Sequence, residues 1–200
     1  MRQVVLPATG QPVGASAVLA DGGAVSAVVA MEVLDFASGD IAVVARRGAA
    51  GVQLFRVDEA GGMTHLGQIL DGPKAFLAGI SDIASLAMGE DRLVLVASAL
   101  ENGLSSYRIA ASGAVEWIDS LGAQSGLAVN GPAAMQLVTM AGQNFAVLAS
   151  TGTSSLSVVR INPMGVMFVT DQVNDDRTTR FADVAALDVF VAKGRAFVVA

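Results

Sequence analysis

A chain of 200 residues that is 53% hydrophobic and only 15% charged has the apolar surface to build a core, which excludes an intrinsically disordered protein. Its formal charge of −6, with twelve scattered Lys and Arg, argues against a nucleic-acid partner, because phosphate binding draws on clustered cations. With no cysteine there are neither disulfides nor thiolate metal sites, and the compartment stays open between a reducing cytoplasm and export without oxidative folding.

Along the chain, residues 1–10 carry one Arg and a short apolar run broken by Pro7, which lacks the long apolar region of a classical signal peptide. The apolar stretch 22–31 is bounded by Asp21 and Glu32 and is too short to cross a bilayer, so no membrane span is expected. From residue 31 onward the sequence repeats with a period of 52: Ala45, Ala97 and Ala149; Phe55, Tyr107 and Val159; Arg56, Arg108 and Arg160; Gly61, Gly113 and Gly165. A fixed period of this size marks an array of one supersecondary unit.

Each period reads as four short strands separated by turn residues. The first copy predicts strands at 31–36, 40–46, 51–58 and 63–69, the second at 83–88, 92–98, 103–109 and 114–119, and the third at 135–140, 144–150, 155–161 and 166–172. The second strand of each copy is almost continuously apolar (Ile41 to Ala45, Leu93 to Ala97, Phe145 to Ala149), which predicts cover on both faces. Ser38-Gly39-Asp40, Gly89-Glu90-Asp91 and Ala141-Gly142-Gln143 stand before it at matching offsets and predict tight hairpins. All five prolines fall outside the strand interiors or at their ends.

A four-stranded antiparallel unit with two apolar faces must be stacked on its neighbours, and the expected fold is an all-β propeller of such blades. A parallel β-helix, the main competitor, would want shorter rungs of about 20 to 30 residues. The expected blades are 31–82, 83–134 and 135–186, with 1–30 the end of one blade and 187–200 the start of another. Residues 1–20 match the third and fourth strands (Val5 with Val57, Gly10 with Gly62), and 187–200 match the first and second (Leu187 with Met135, Phe197 with Phe145). Two readings follow: a closed four-bladed ring, or a piece of about four blades from a larger propeller. The second is preferred, because Ala200 aligns with Leu148 and Val96, inside a strand.

The residues that bear chemistry are few. His65 is the sole histidine, and its equivalents are Trp117 and Val169, so a structural role is expected. Arg56, Arg108 and Arg160 suggest either a ring of cations for an anionic ligand or, preferred for a residue present in every copy, scaffold contacts at strand ends. The segment 171–180, Asp-Gln-Val-Asn-Asp-Asp-Arg-Thr-Thr-Arg, offers oxygen ligands of the type that suits calcium, but lacks the spacing and turn glycine of an EF-hand, and a solvated acidic turn is expected. Asp35, Asp82 and Glu116 form no carboxylate pair that the sequence can place, and no catalytic or metal-ligating residue is assigned.

The segments 43–58, 95–109 and 147–161 resemble blades of the lactonase-like seven-bladed propellers: an apolar strand, a small polar loop with glycine, then a strand ending in an aromatic-Arg-aliphatic run, as in Phe55-Arg56-Val57 and Tyr107-Arg108-Ile109. At the level of blade pattern the resemblance covers essentially the whole chain. The Ala-, Gly- and Val-rich, acidic, cysteine-free composition is also similar to propeller regions of alphaproteobacterial secreted RTX (haemolysin-type) calcium-binding proteins. That second resemblance implies export through a C-terminal signal, an extracellular location rather than the cytoplasmic alternative, and a non-enzymatic binding or scaffold role with an unidentified protein or small-molecule partner. The Gly-Gly-x-Gly-x-Asp nonapeptide is absent from the 200 residues, so no cofactor is expected in this chain and calcium repeats would lie downstream of it. The alternatives are a lactonase-like hydrolase and a self-contained four-bladed protein-interaction domain.

Overall fold

The computed structural model describes residues 27–200, and the expected blade end at 1–20 lies outside them. Among the described residues the strands form three four-stranded antiparallel sheets and one two-stranded hairpin. The first blade is β1 (Val28–Leu34), β2 (Ile41–Arg46), β3 (Gly51–Val57) and β4 (Met63–Leu70). The second is β5 (Ile80–Met88), β6 (Asp91–Ser98), β7 (Gly103–Ile109) and β8 (Val115–Leu121). The third is β9 (Pro132–Met140), β10 (Gln143–Ser150), β11 (Ser155–Ile161) and β12 (Met167–Asn174), and β13 (Asp188–Ala192) with β14 (Arg195–Val199) opens a further unit. The only helical turn among the described residues is Ala123–Ser125, in line with a sequence punctuated by 22 glycines.

First strands pack against first strands, β1 on β5, β5 on β9 and β9 on β13, so they line the axis while the fourth strands sit at the periphery. This is the radial arrangement of a β-propeller. The second strands explain why the stack holds. In β6, Val94 and Val96 enter the core shared with the first blade, whereas Leu93, Leu95 and Ala97 enter the core shared with the third. β2 and β10 do the same: Ile41, Val43 and Ala45 face the second blade and Ala42 and Val44 the opposite side, while Ala146 and Leu148 face the second blade and Val147 and Ala149 pack with Val184 and Leu187. A strand with two buried faces needs no polar alternation. That is what the unbroken apolar runs encode.

The first strands begin at Val28, Ile80 and Pro132, three residues before the expected starts at 31, 83 and 135. Val28 to Ala30, expected at the end of a preceding blade, therefore belong to the first strand of this one. The cause is a bulge: pairing with the second strand skips Val29, Ser81 and one residue between Pro132 and Ala134. A second bulge skips Leu66, Ile118 and Thr170 in the fourth strands. Bulges add local twist, and their recurrence at one position per blade makes them part of the repeat.

Candidate functional site

The structure places the residues singled out from the sequence in separate structural duties. Arg56 donates to the Gly39 carbonyl at 2.9 Å in its own blade and to the Ala111 carbonyl at 2.7 Å in the next. Arg108 pairs with Glu116, its cross-strand neighbour, at 3.1 Å, and Arg160 lies over the Phe168 ring at 4.9 Å. All three stand on third strands, two removed from the strands that line the axis, so they form no axial ring of cations. His65 is exposed on β4 and meets Phe55 edge to face at 5.4 Å.

The carboxylates tie blades together. Asp82 accepts the N–H of Ile83 at 2.9 Å and, across the blade boundary, that of Met135 at 2.7 Å; its partial burial raises its pKa above the usual 3.8. Asp119, which the sequence reading did not single out, repeats the device at the periphery by accepting Ser120 N at 2.8 Å and Met167 N at 2.9 Å. Asp35 holds Arg92 at 3.0 Å, and Arg92 in turn covers Phe36 at 4.8 Å. Glu32 accepts from Ser85 at 2.6 Å between the first two axial strands.

The acidic segment 171–180 is organised around its own backbone. Asp176 accepts the N–H and hydroxyl of Thr178, both at 2.6 Å, and the N–H of Thr179 at 3.0 Å, and these bonds pull its pKa down to about 2. Asp175 accepts Phe181 N at 2.7 Å. Among the described residues no group of three or more His, Cys, Asp or Glu is placed to hold a metal. No helix among them is long and apolar enough to cross a membrane.

One place does have the form of a ligand site. Between the first and second blades, at their outer edge, Ile69, Leu70, Pro73, Lys74, Tyr107 and Trp117 line a cleft of about 320 Å³. Its walls come from β4, from the connection that follows β4, and from the cross-strand pair Tyr107 and Trp117 on β7 and β8. Trp117 is 41% exposed, and Lys74 Nζ rests over its ring at 5.5 Å.

Behind it a chain of hydroxyls fixes the geometry: Trp117 Nε1 donates to Ser120 Oγ at 3.1 Å, Ser120 Oγ meets Ser105 Oγ at 3.0 Å, and Ser105 Oγ accepts Phe76 N at 2.8 Å. Tyr107 is 1% exposed and its hydroxyl has no hydrogen-bond partner. Ser105 lies near enough to favour the ionised phenol, an effect smaller than that of burial. Burial, with the charges of Asp71 and Glu101, pushes Tyr107 up to about 12, so it remains neutral.

The sequence signal for this cleft is a departure from the repeat. The same cross-strand pair is Phe55 with His65 in the first blade and Val159 with Val169 in the third, and the second blade alone combines a phenol with an indole. In the sequence, Trp117 registers only as the counterpart of His65.

No protein-family model matches the chain, and no curated protein does. Solved structures with a similar fold include the periplasmic gluconolactonase of Pseudomonas aeruginosa, 19% identical with a TM-score of 0.58 over 72% of this chain and 39% of that one. A protein from Lactobacillus plantarum is 13% identical with a TM-score of 0.52, over 78% of this chain and 43% of that one. An exo-β-1,3-galactanase of Phanerochaete chrysosporium is 10% identical with a TM-score of 0.59, over 84% of this chain and 42% of that one. The chain thus spans less than half the length of each of these structures. The class that fold and comparisons define together is a β-propeller.

Proposed function

We propose that this protein is a non-enzymatic propeller module that captures a small ligand or partner on a rigid scaffold. The observation that carries this reading is the Tyr107–Trp117 cleft, an apolar concavity with an exposed indole held by a serine relay, beside arginines and carboxylates that are used as struts between blades. Binding sites are lined mostly by apolar and aromatic side chains, and the cleft has that lining. The resemblance in composition to RTX-type proteins supports an extracellular setting, with calcium repeats downstream of this chain as part of the same proposal.

The second reading, a lactonase-like hydrolase, draws on the likeness to the gluconolactonase, whose activity belongs to that protein. The two separate in one experiment: purified protein is incubated with glucono-1,5-lactone and followed by a pH-indicator assay against spontaneous hydrolysis. The binding-module reading expects the spontaneous rate; saturable turnover would replace it with the hydrolase. For the setting, a culture of the source bacterium fractionated and probed with antibody should show the antigen in the medium. Confinement to the cytoplasm would remove the extracellular part of the proposal.

A further inference from the structure

Resting on the binding-module reading, we propose that the cleft at the outer edge between the first two blades takes a medium-chain fatty acid, its alkyl chain against Trp117 and Leu70 and its carboxylate on the Lys74 ammonium.

The lining selects the guest by what it withholds. Its polar side chains are Trp117, Tyr107 and Lys74, and two of these offer a guest no hydrogen bond: Trp117 Nε1 donates to Ser120 Oγ at 3.1 Å, and the Tyr107 hydroxyl is buried. Lys74 Nζ is the exception. It rests over the Trp117 ring at 5.5 Å, on an exposed side chain, and meets no carboxylate among the described residues. An ammonium is a donor three times over and never an acceptor, so the partner it lacks is an anion. A sugar would lose water from several hydroxyls and find acceptors for none of them. A cation would meet Lys74 with no lining acid to offset the repulsion. Asp71 and Glu101, whose charges reach Tyr107, line no part of the cleft and are held on Leu77 N at 3.2 Å and Ala78 N at 2.8 Å. An apolar body with one anionic end is the chemistry that the wall accepts.

The wall also holds apolar surface open. Leu70 is 63% exposed and Trp117 41%, and the serine relay fixes the indole so that it cannot fold away. Covering such surface is favourable in proportion to its area. The cleft of about 320 Å³ stands at the small end of the roughly 300–1,000 Å³ typical of ligand pockets, which suits a single short chain and not a two-chain lipid. Both walls come from complete four-stranded blades, so the cleft belongs to a blade boundary.

Trp117 is the sole tryptophan of the chain, so its emission reports directly on the ring proposed to be covered. The full chain at pH 7 is titrated with sodium hexanoate, sodium octanoate and octanamide, the uncharged isostere of octanoate, at matched ionic strength. Octanoate should shift the emission to the blue saturably. Hexanoate should bind about tenfold more weakly, because two methylenes fewer are buried. Octanamide should be weaker than octanoate by about twofold to fivefold, the worth of one exposed ion pair. Lys74→Ala should bring octanoate down to the affinity of octanamide and leave octanamide unchanged, and Lys74→Arg should keep the preference for the carboxylate.

If octanamide binds as tightly as octanoate, or Lys74→Ala leaves their ratio unchanged, recognition is by apolar contact and the fatty-acid inference falls while the binding-module reading stands. Equal affinity for hexanoate and octanoate would show that the chain is not buried and would overturn it too. So would the lack of a saturable response to octanoate in wild type shown to be folded by circular dichroism. Failure of the binding-module reading is registered independently, by lactone turnover.

Discussion

Single residues here show how one chemical group is set to opposite tasks by its surroundings. Asp82 is drawn from water between two axial strands, and that burial disfavours its charge; Asp176 stands in solvent, ringed by donors that favour its charge. The pH consequences have opposite sign. Asp82, with a folded pKa above the unfolded 3.8, contributes stability that is complete below 3.8 and is lost as pH rises through the folded value. Asp176, with a folded pKa of about 2, contributes order to its turn that is complete above 3.8 and is lost as pH falls toward 2. In an NMR titration the amides of Thr178 and Thr179 should therefore shift with a midpoint near 2, and the amide of Met135, which donates to Asp82, with a midpoint above 3.8. A common midpoint for both would show that neither environment acts on its carboxylate as the hydrogen bonds imply.

Elements, by contrast, are governed by turn chemistry and by the bulges. The β9–β10 hairpin closes through Ala141 and Gly142, with φ of 50° and 73°, between the paired residues Met140 and Gln143. Two successive positive φ values make this a type I′ turn, whose preferred first residue is Asn and not Ala. Ala141→Asn should accordingly stabilise the protein by about 0.5–1 kcal/mol, since a β-carbon at positive φ costs an alanine roughly 1–2 kcal/mol and asparagine recovers part of that through local hydrogen bonding. Thermal unfolding by circular dichroism gives the check; an unchanged or lower midpoint would contradict the assignment of the turn.

The same turn was legible in the sequence, where Ala141-Gly142-Gln143 stands at the offset of Gly89-Glu90-Asp91, because a repeat fixes where turns fall even when their residues differ. Strand starts were less so. Asp82 and Pro132 fell outside the strands expected at 83–88 and 135–140, yet both belong to axial strands: Asp82 with its carboxylate on Met135 N across the blade boundary, Pro132 as the first residue of its strand, where the lost N–H is tolerated. The cleft was hidden for a different reason. Its polar features, the serine relay and the unmet phenol, arise from Ser105, Ser120 and Tyr107 meeting across β7 and β8, a juxtaposition that depends on the bulge at Ile118 and leaves no mark in local composition.

At the scale of the whole molecule, stability is a property of boundaries between blades. The middle blade contributes to two cores through the two faces of one strand, so its second strand is the element whose loss would release both neighbours. The β13–β14 hairpin is the opposite case: it has two strands, every residue of β14 is exposed, and it meets the third blade through β13 on β9 and through Val189 on the small cluster of Val184 and Leu187 with Val147 and Ala149. An isolated two-stranded unit is marginal in water, and local opening follows low burial. Native-state hydrogen exchange should therefore rank the amides of β14 and β13 fastest among the strands and those of β6 slowest.

Leu95→Ala, which empties a fully buried position on the third-blade side of β6, should cost about 2–5 kcal/mol and speed exchange in the second and third blades together. Val184→Ala should speed exchange in the hairpin and the third blade and leave the first two blades unchanged, because that residue packs only in the outermost of these cores, with Val147 and Ala149. If both substitutions accelerated every strand equally, the blades would be opening as one unit, and the picture of separable boundaries would have to be replaced by a single cooperative core.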